Sequence, residues 1–312
     1  MRGIFRKIEG EGLNSFKRFS KLFKFMIFVL LSVLCSVTVA VILKYAKLQQ
    51  VSTKQIIVWN YPIAAVLTYF VLEPDLGDIQ IQQMPWELYI PLAILLPTLF
   101  IFIALTIQYT GLVKTEIAQR LSLFIPLLAS FILFSEVITW NKGIGIVVGL
   151  IAIICSIGWQ KGNSTRNNKI GSLLYPLIVF IGMGVIDILF KQIALHQSVP
   201  YITAMFIVFL LAIAVAFLFM IYFLGIEKQS FSFKSLGFGI VLGFFNFGNI
   251  LFYMKAHRAI PENPSIVFTG MNIGVISVGA LVGVLLFKEK LSAINKVGLA
   301  LSIISVLIIT YL

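Results

Sequence analysis

Asp187 and Lys191 are the two side chains of this sequence whose type and position most clearly suggest chemistry. Both lie within an apolar run near residues 172–195, where a charged group would sit inside the hydrocarbon of a membrane. Charged side chains at that depth are costly and commonly belong to a transport pathway or a proton relay. Their spacing of four residues places them on one helix face, so a self-neutralising ion pair is the alternative interpretation. We favour a pathway role for both residues.

Polar side chains in other apolar runs are candidates for the same pathway. Asn246 and Asn249, with Tyr253, form a stripe spaced i, i+3, i+7 that should face a partner helix or a wet cavity. Asn272 on the next run is a candidate for the same stripe, and interhelical hydrogen bonding alone is the alternative. The candidates in the first half of the chain are Lys44, Asn60 and Arg120. Lys44 lies near a run end, so extension of its ammonium group to the membrane interface is the alternative for that residue.

The sequence contains no residue pattern typical of a cofactor or metal site. His196 and His257 are far apart and near run ends, which favours structural or interfacial roles, and the two cysteines lie inside apolar runs. No GxxxxGK[ST] stretch is present, which argues against ATP-driven transport by this chain alone. An intramembrane transferase would need paired acids, and only Asp75 and Asp78 approach that spacing. We therefore expect no cofactor, no metal and no enzymatic activity.

The composition of the whole chain is that of an integral membrane protein. Of its 312 residues 60% are apolar and 12% are charged, whereas soluble domains are nearer half apolar and one quarter charged. Ten apolar runs are long enough to cross about 30 Å of hydrocarbon as helices. They lie near residues 25–47, 55–72, 88–109, 112–134, 142–160, 172–195, 201–225, 233–257, 265–287 and 294–312.

The net charge of +12 indicates contact with a membrane surface rather than with nucleic acid. Seven of the 24 Lys and Arg residues lie in residues 1–24, immediately before the first run. Such a segment is attracted to an anionic cytoplasmic leaflet, so we expect the N terminus, and after ten spans the C terminus, on the cytoplasmic side. The later loops carry the opposite charge bias, so this orientation depends on the tail. The tail itself is either an amphipathic helix on the membrane surface or a partly ordered segment.

The two halves of the chain resemble each other. A shift of 147 residues places Lys44 on Lys191, and a shift of 153 places Glu136 on Glu289. One longer loop in the second half, at residues 258–264, accounts for the difference between the two shifts. Because each half contains five spans, an odd number, the halves must cross the membrane in opposite senses, as the inverted repeats of secondary transporters do.

These matches resemble the ten-helix EamA branch of the drug/metabolite transporter superfamily over residues 25–312. In that family each half carries a lysine near the end of its first helix, an acidic residue closing the fourth helix and a glycine nine residues later. The corresponding residues in this chain are Lys44 and Lys191, Glu136 and Glu289, and Gly145 and Gly298. The chain departs from the family at Asn60, where an arginine often follows the first lysine.

The expected fold is an all-α membrane protein of ten transmembrane helices arranged as two inverted five-helix repeats. Residues 1–24 form the basic tail, 25–160 the first repeat, 161–171 a polar linker and 172–312 the second repeat. The expected function is secondary transport of a small polar metabolite, with possible proton coupling, in the cytoplasmic membrane. The alternatives are a flippase for a lipid-linked intermediate and, with less support, the intramembrane transferase.

Overall fold

The chain folds into a bundle of α-helices in the computed structural model, which describes residues 2–77, 82, 84–110, 115, 118–119, 121–156, 169–287 and 292–311. No β-strand occurs in those ranges. The helices are α1 (Arg2–Leu48), α2 (Thr53–Leu72), α3 (Trp86–Thr110), α4 (Phe124–Ile132), α5 (Trp140–Ser156), α6 (Lys169–Leu195), α7 (Tyr201–Gly225), α8 (Phe233–Ala259), α9 (Pro264–Phe287) and α10 (Ala293–Tyr311).

Seven of these helices are long and apolar enough to cross a membrane: α1, α2, α3, α6, α7, α8 and α9. This confirms the prediction of an all-helical, multi-pass membrane protein at the level of helix length and composition. In the described part of the chain, the apolar stretches of α5 and α10 are shorter, at Trp140–Cys155 and Lys296–Ser305. Helix α4 has nine residues, about 14 Å, which is less than half of the hydrocarbon thickness.

The fourth apolar run, predicted at residues 112–134, is not one continuous helix in the described residues. A turn at Ser122 and Leu123 precedes α4, and part of the run, including Arg120, lies outside the described residues. The Ser122 hydroxyl donates a hydrogen bond to the Gln119 carbonyl at 2.6 Å, and Pro126 has no N–H for the carbonyl four residues earlier. Both features favour a helix that restarts near Phe124.

Two predicted boundaries also differ from the structure. Helix α1 runs without a break from Arg2 through the first span, so residues 2–24 are not an element separate from it. Its 47 residues correspond to about 70 Å, roughly twice the thickness of the hydrocarbon core. The predicted linker at 161–171 lies mostly outside the described residues, and its last three residues already belong to α6. At residues 2–24 the polar sequence thus marks the edge of the apolar run but does not end the helix.

Helices from the two halves of the chain interdigitate. Helix α1 packs against α8 and α9, α2 against α7 and α8, α3 against α6 and α7, and α4 against α6 and α9. Helix α5 packs against α10. The main hydrophobic core lies among α2, α3, α6, α7 and α8, so residues on α6 and α8 are held between helices of the first half.

Small residues permit the closest of these contacts, because glycines four residues apart, such as Gly239 and Gly243, let two helices approach closely. A Cβ atom at Gly243 of α8 would lie 2.7 Å from the Ile63 Cβ and 2.9 Å from the Asn60 carbonyl oxygen of α2. At Gly274 of α9 it would lie 2.6 Å from a Val33 methyl group of α1. These glycines therefore serve packing within the chain. By contrast, Gly279 has nothing within 4 Å of such a Cβ among the described residues.

Candidate functional site

Asp187 and Tyr253 form a partly buried polar contact between α6 and α8. The Tyr253 hydroxyl donates a hydrogen bond to the Asp187 Oδ1 at 2.9 Å. The Tyr253 ring packs edge to face against Phe190, one turn from Asp187, with centroids 6.1 Å apart. An apolar surround of this kind strengthens the hydrogen bond and holds the carboxylate in one position.

The polar stripe predicted on α8 faces partner helices, as expected. Besides the Tyr253 contact with α6, Asn249 contacts α1, where the Ser32 hydroxyl donates to its backbone oxygen at 2.8 Å and to its Oδ1 at 2.9 Å. Asn246 is buried on the same helix. The amide group of Asn272 bonds within its own helix rather than to the stripe. It donates to the Phe268 carbonyl one turn earlier on α9.

Lys191 has partners other than Asp187. Its side chain is 1% exposed, and its Nζ donates to the Pro261 carbonyl at 2.8 Å. The same ammonium group lies 5.3 Å from the centroid of the Phe134 ring. Among the described residues the structure therefore does not contain the Asp187–Lys191 ion pair of the alternative interpretation. Instead α8 supplies a hydroxyl to Asp187, and the α8–α9 loop supplies a carbonyl to Lys191.

A cluster of charged and polar side chains lies at this end of α8. Glu136, which is 6% exposed, accepts hydrogen bonds from the Ser265 backbone N–H at 2.9 Å and the Ser265 hydroxyl at 2.6 Å. The Lys142 Nζ lies 3.0 Å from Glu136 and donates to Asn263 Oδ1 at 2.5 Å. A carboxylate at the N-terminal turn of α9 is favourable because it pairs with free N–H groups. These contacts join the α4–α5 loop and the start of α5 in the first half to the α8–α9 loop and the start of α9 in the second.

A second cluster joins the two halves at the opposite end of α8. The Lys54 Nζ lies 2.6 Å from Glu227 in a partly exposed ion pair. The buried Gln55 side chain donates to the Ser230 carbonyl at 2.9 Å and accepts from the Ser232 N–H at 3.0 Å. The start of α2 is thus bound to the α7–α8 loop. Neither cluster is predictable from the sequence, where only Glu136 stands out, through its match to Glu289 in the repeat.

The remaining predicted residues lie in different surroundings. Lys44 is exposed, whereas its repeat match Lys191 is buried, so the two lysines do not share an environment. Asn60 is fully buried on α2, and within the described residues its amide group has no hydrogen-bond partner. The position of Arg120 lies outside the described residues.

His257 is a candidate that the sequence analysis assigned to a structural or interfacial role. The imidazole is fully buried between the rings of Tyr253 and Phe268, at 4.8 Å between centroids in each case. Within the described part of the chain neither of its ring nitrogens has a hydrogen-bond partner. The signal that could have revealed it is its position, one turn after Tyr253 on the polar stripe.

Comparison with known proteins shows a relative and a shared fold, although no family model matches the sequence. The chain is 38% identical over 290 residues to a Haemophilus influenzae protein described as uncharacterized, covering 91% of this chain and 97% of that one. A crystal structure with 13% sequence identity superposes with a TM-score of 0.68 over 90% of this chain and 94% of the other, which shows a common fold. The chain belongs to the same protein family as the Haemophilus influenzae protein.

Proposed function

We propose that the protein is a secondary transporter that moves a small polar metabolite across the cytoplasmic membrane by alternating access. Its ten spans form two inverted five-helix repeats of the EamA type within the drug/metabolite transporter superfamily, and both termini lie in the cytoplasm. The substrate pathway runs between the halves, and Asp187 couples solute movement to a proton.

The pattern of helix contacts carries this proposal. If the halves are equivalent, α1 corresponds to α6, α2 to α7, and so on to α5 and α10. A contact between two helices should then recur between their counterparts. The α1–α8 contact recurs as α3–α6, α2–α8 as α3–α7, and α1–α9 as α4–α6. The α2–α7, α4–α9 and α5–α10 contacts are their own counterparts. Such a pattern is what two structurally equivalent halves related by a two-fold axis would produce, and inverted repeats place a substrate site at their interface.

The two polar clusters at the ends of α8 fit the role of gates. Each joins a segment of the first half to a loop of the second half. Rocking of one half against the other would separate the cluster at one end while the cluster at the other end stays closed. Hydrogen bonds to carboxylate groups suit this purpose, because water can replace them when a gate opens.

Asp187 fits the coupling role because it lies between these ends on a helix of the second half. A carboxylate whose access to water changes during the cycle can take up a proton on one side of a membrane and release it on the other. Tyr253 is a partner that can donate to the ionised group and accept from the protonated one. No equivalent acid occurs in the first half, where the 147-residue shift places Ala40.

Solute counterflow in proteoliposomes tests the function. Vesicles containing the purified protein and one unlabelled solute at high concentration are mixed with the labelled solute, over a panel of anionic, zwitterionic and polyhydroxylated metabolites. Transient accumulation of one labelled solute, absent from protein-free vesicles, is the expected result. Absence of exchange for every soluble member of the panel would contradict the proposal.

Cysteine labelling tests the inverted repeat separately. Gln50 and Gln197 are equivalent in the repeat alignment, and both are exposed in loops. A single cysteine at Gln50 should react with an impermeant reagent in intact cells, and one at Gln197 only after permeabilisation. Labelling of both positions from the same side would contradict inverted repeats.

Flipping of a lipid-linked intermediate is the second candidate function, and one observation favours it. A cavity of about 340 Å³ lies between α1, α9 and α10, with an almost wholly apolar lining. Met26 and Leu30, two of its lining residues, are 43% and 54% exposed, so the cavity reaches the surface of the bundle. Translocation of a polyprenyl-phosphate-linked sugar by vesicles that exchange no soluble solute would favour this function.

A further inference from the structure

His257 combines complete burial with two ring nitrogens that have no partner in the described part of the structure. A neutral imidazole carries one donor and one acceptor, and leaving either group unpaired in a protein interior is unfavourable. A histidine kept for packing alone would be replaced without loss by an aromatic side chain of similar size. The site therefore calls for a polar occupant, and water is the smallest one that satisfies both nitrogens.

Ionisable side chains near His257 follow one another along α6 and α8. The two helices run in the same direction. Asp187 of α6 contacts Tyr253, and Lys191, one turn further along α6, contacts Pro261, which follows Tyr253 by eight residues. His257 follows Tyr253 by one turn and so lies between these two levels.

The charged and titratable groups near His257 lie on α6 and α8 and in the α8–α9 loop. Helix α8 contributes Tyr253. Helix α6 contributes Asp187, which lies beside Tyr253, and Lys191, which lies beside Pro261 and within electrostatic range of the imidazole. Helix α9 presents the Phe268 ring. Two carboxylates lie beyond Lys191 and within electrostatic range of its ammonium group: the buried Glu136 and the exposed Glu262. Asp187, Tyr253 and His257 thus follow one another toward the end of the bundle, and Glu262 lies beyond them on the far side of Lys191.

We propose that His257 relays protons between Asp187 and the end of the bundle at Glu262. A proton from water at that end binds one ring nitrogen, and the other nitrogen releases its own proton to a bridging water. The water passes a proton to the Tyr253 hydroxyl as that hydroxyl gives its proton to Asp187. The carboxylate becomes a carboxylic acid, and the imidazole and phenol end with as many protons as they began with. This inference rests on the proposed proton-coupled function and names its route.

Nitrogen-15 NMR of the histidine rings tests the relay without a transported solute. The chain contains two histidines, so a His196→Gln background leaves the signals of His257 alone. We expect the pH profile of its ring nitrogen shifts to move by roughly half a pH unit or more when Asp187→Asn or Tyr253→Phe is added, since coupled groups titrate together. Either variant is sufficient if the other fails to fold. Profiles that superimpose in all three proteins would overturn the proposal.

A transport measurement gives the second arm, with a solute identified by counterflow. His257→Gln keeps one donor and one acceptor but cannot relay a proton, so uptake driven by a pH gradient should fall at least tenfold while counterflow persists. His196→Gln, the matched control in the α6–α7 turn, should behave as the parent does. Unchanged gradient-driven uptake by His257→Gln would overturn the relay. If the parent exchanges no solute, the proposed function fails instead, and the NMR comparison still decides whether Asp187 and His257 are coupled.

Discussion

Replacing Asp187 with asparagine separates proton coupling from folding. In the parent the Tyr253 hydroxyl donates to Asp187 Oδ1 over 2.9 Å, and the asparagine side chain offers a carbonyl oxygen of nearly the same size and position. The variant exchanges a hydrogen bond to a charged group, worth about 1.5–3 kcal/mol, for a neutral one worth about 0.5–1.5 kcal/mol. It also removes the cost of burying a charge, which acts in the opposite direction. We therefore expect Asp187→Asn to insert normally, with stability within about 2 kcal/mol of the parent.

The effect on transport follows from the number of protons that one carboxylate can carry. A gradient of one pH unit supplies about 1.36 kcal/mol per proton, which corresponds to roughly tenfold accumulation of a solute moved with one proton. Proteoliposomes containing the parent should approach that ratio. Vesicles containing Asp187→Asn should only equilibrate the solute, while counterflow, which needs no proton, continues.

Glu87→Gln is the matched control, because it neutralises an exposed carboxylate at the start of α3. It should accumulate solute as the parent does. If Asp187→Asn also accumulates solute tenfold at every pH, Asp187 is only the hydrogen-bond partner of Tyr253 and the coupling argument is refuted. Loss of the variant from the membrane would likewise contradict the stability estimate and favour a structural role.

The packing and the gate contacts give further predictions. Gln55→Ala removes two hydrogen bonds to the α7–α8 loop and should lower the free energy of unfolding by about 1–3 kcal/mol, whereas Lys54→Ala, which breaks a partly exposed ion pair, should cost about 1 kcal/mol or less. Thermal unfolding in detergent measures both, and equal losses would contradict this ranking. Gly243→Ala places a methyl group 2.9 Å from a backbone oxygen of α2 and should lower the melting temperature by several degrees, whereas Gly237→Ala has open space and should not. Similar melting temperatures for the two alanine variants would argue against the close α2–α8 contact.

Hydropathy and side-chain periodicity predicted the parts of the fold that depend on local sequence. The positions of the seven apolar helices, the polar face of α8 and the close contact at Gly243 could all be read from spacing alone. Each depends on residues within one helix, and burial of an apolar or small-residue face follows from the periodicity of that helix.

Contacts that depend on another part of the chain could not be predicted in this way. The Lys191 partner is a loop carbonyl 70 residues away, whereas helix periodicity identifies only neighbours such as Asp187. The sequence leaves a structural and an interfacial role open for His257, because the apolar run ends near it. In the structure α8 continues to Ala259 and α9 covers the ring. Hydropathy estimates how deep a residue lies in the membrane, but it does not identify the helix that packs against it.

Transport by alternating access requires the two ends of the bundle to open in turn, and distances between paired spin labels measure this opening. One label pair at Gln50 and Ser230 spans the cluster at the start of α8, and a second pair at Val137 and Gln197 spans the opposite end; all four positions are exposed. Double electron–electron resonance in lipid bilayers, at several pH values and with a solute identified by counterflow, gives both distances. We expect one distance to lengthen as the other shortens. Two distances that change together, or that stay fixed under every condition, would contradict alternating access.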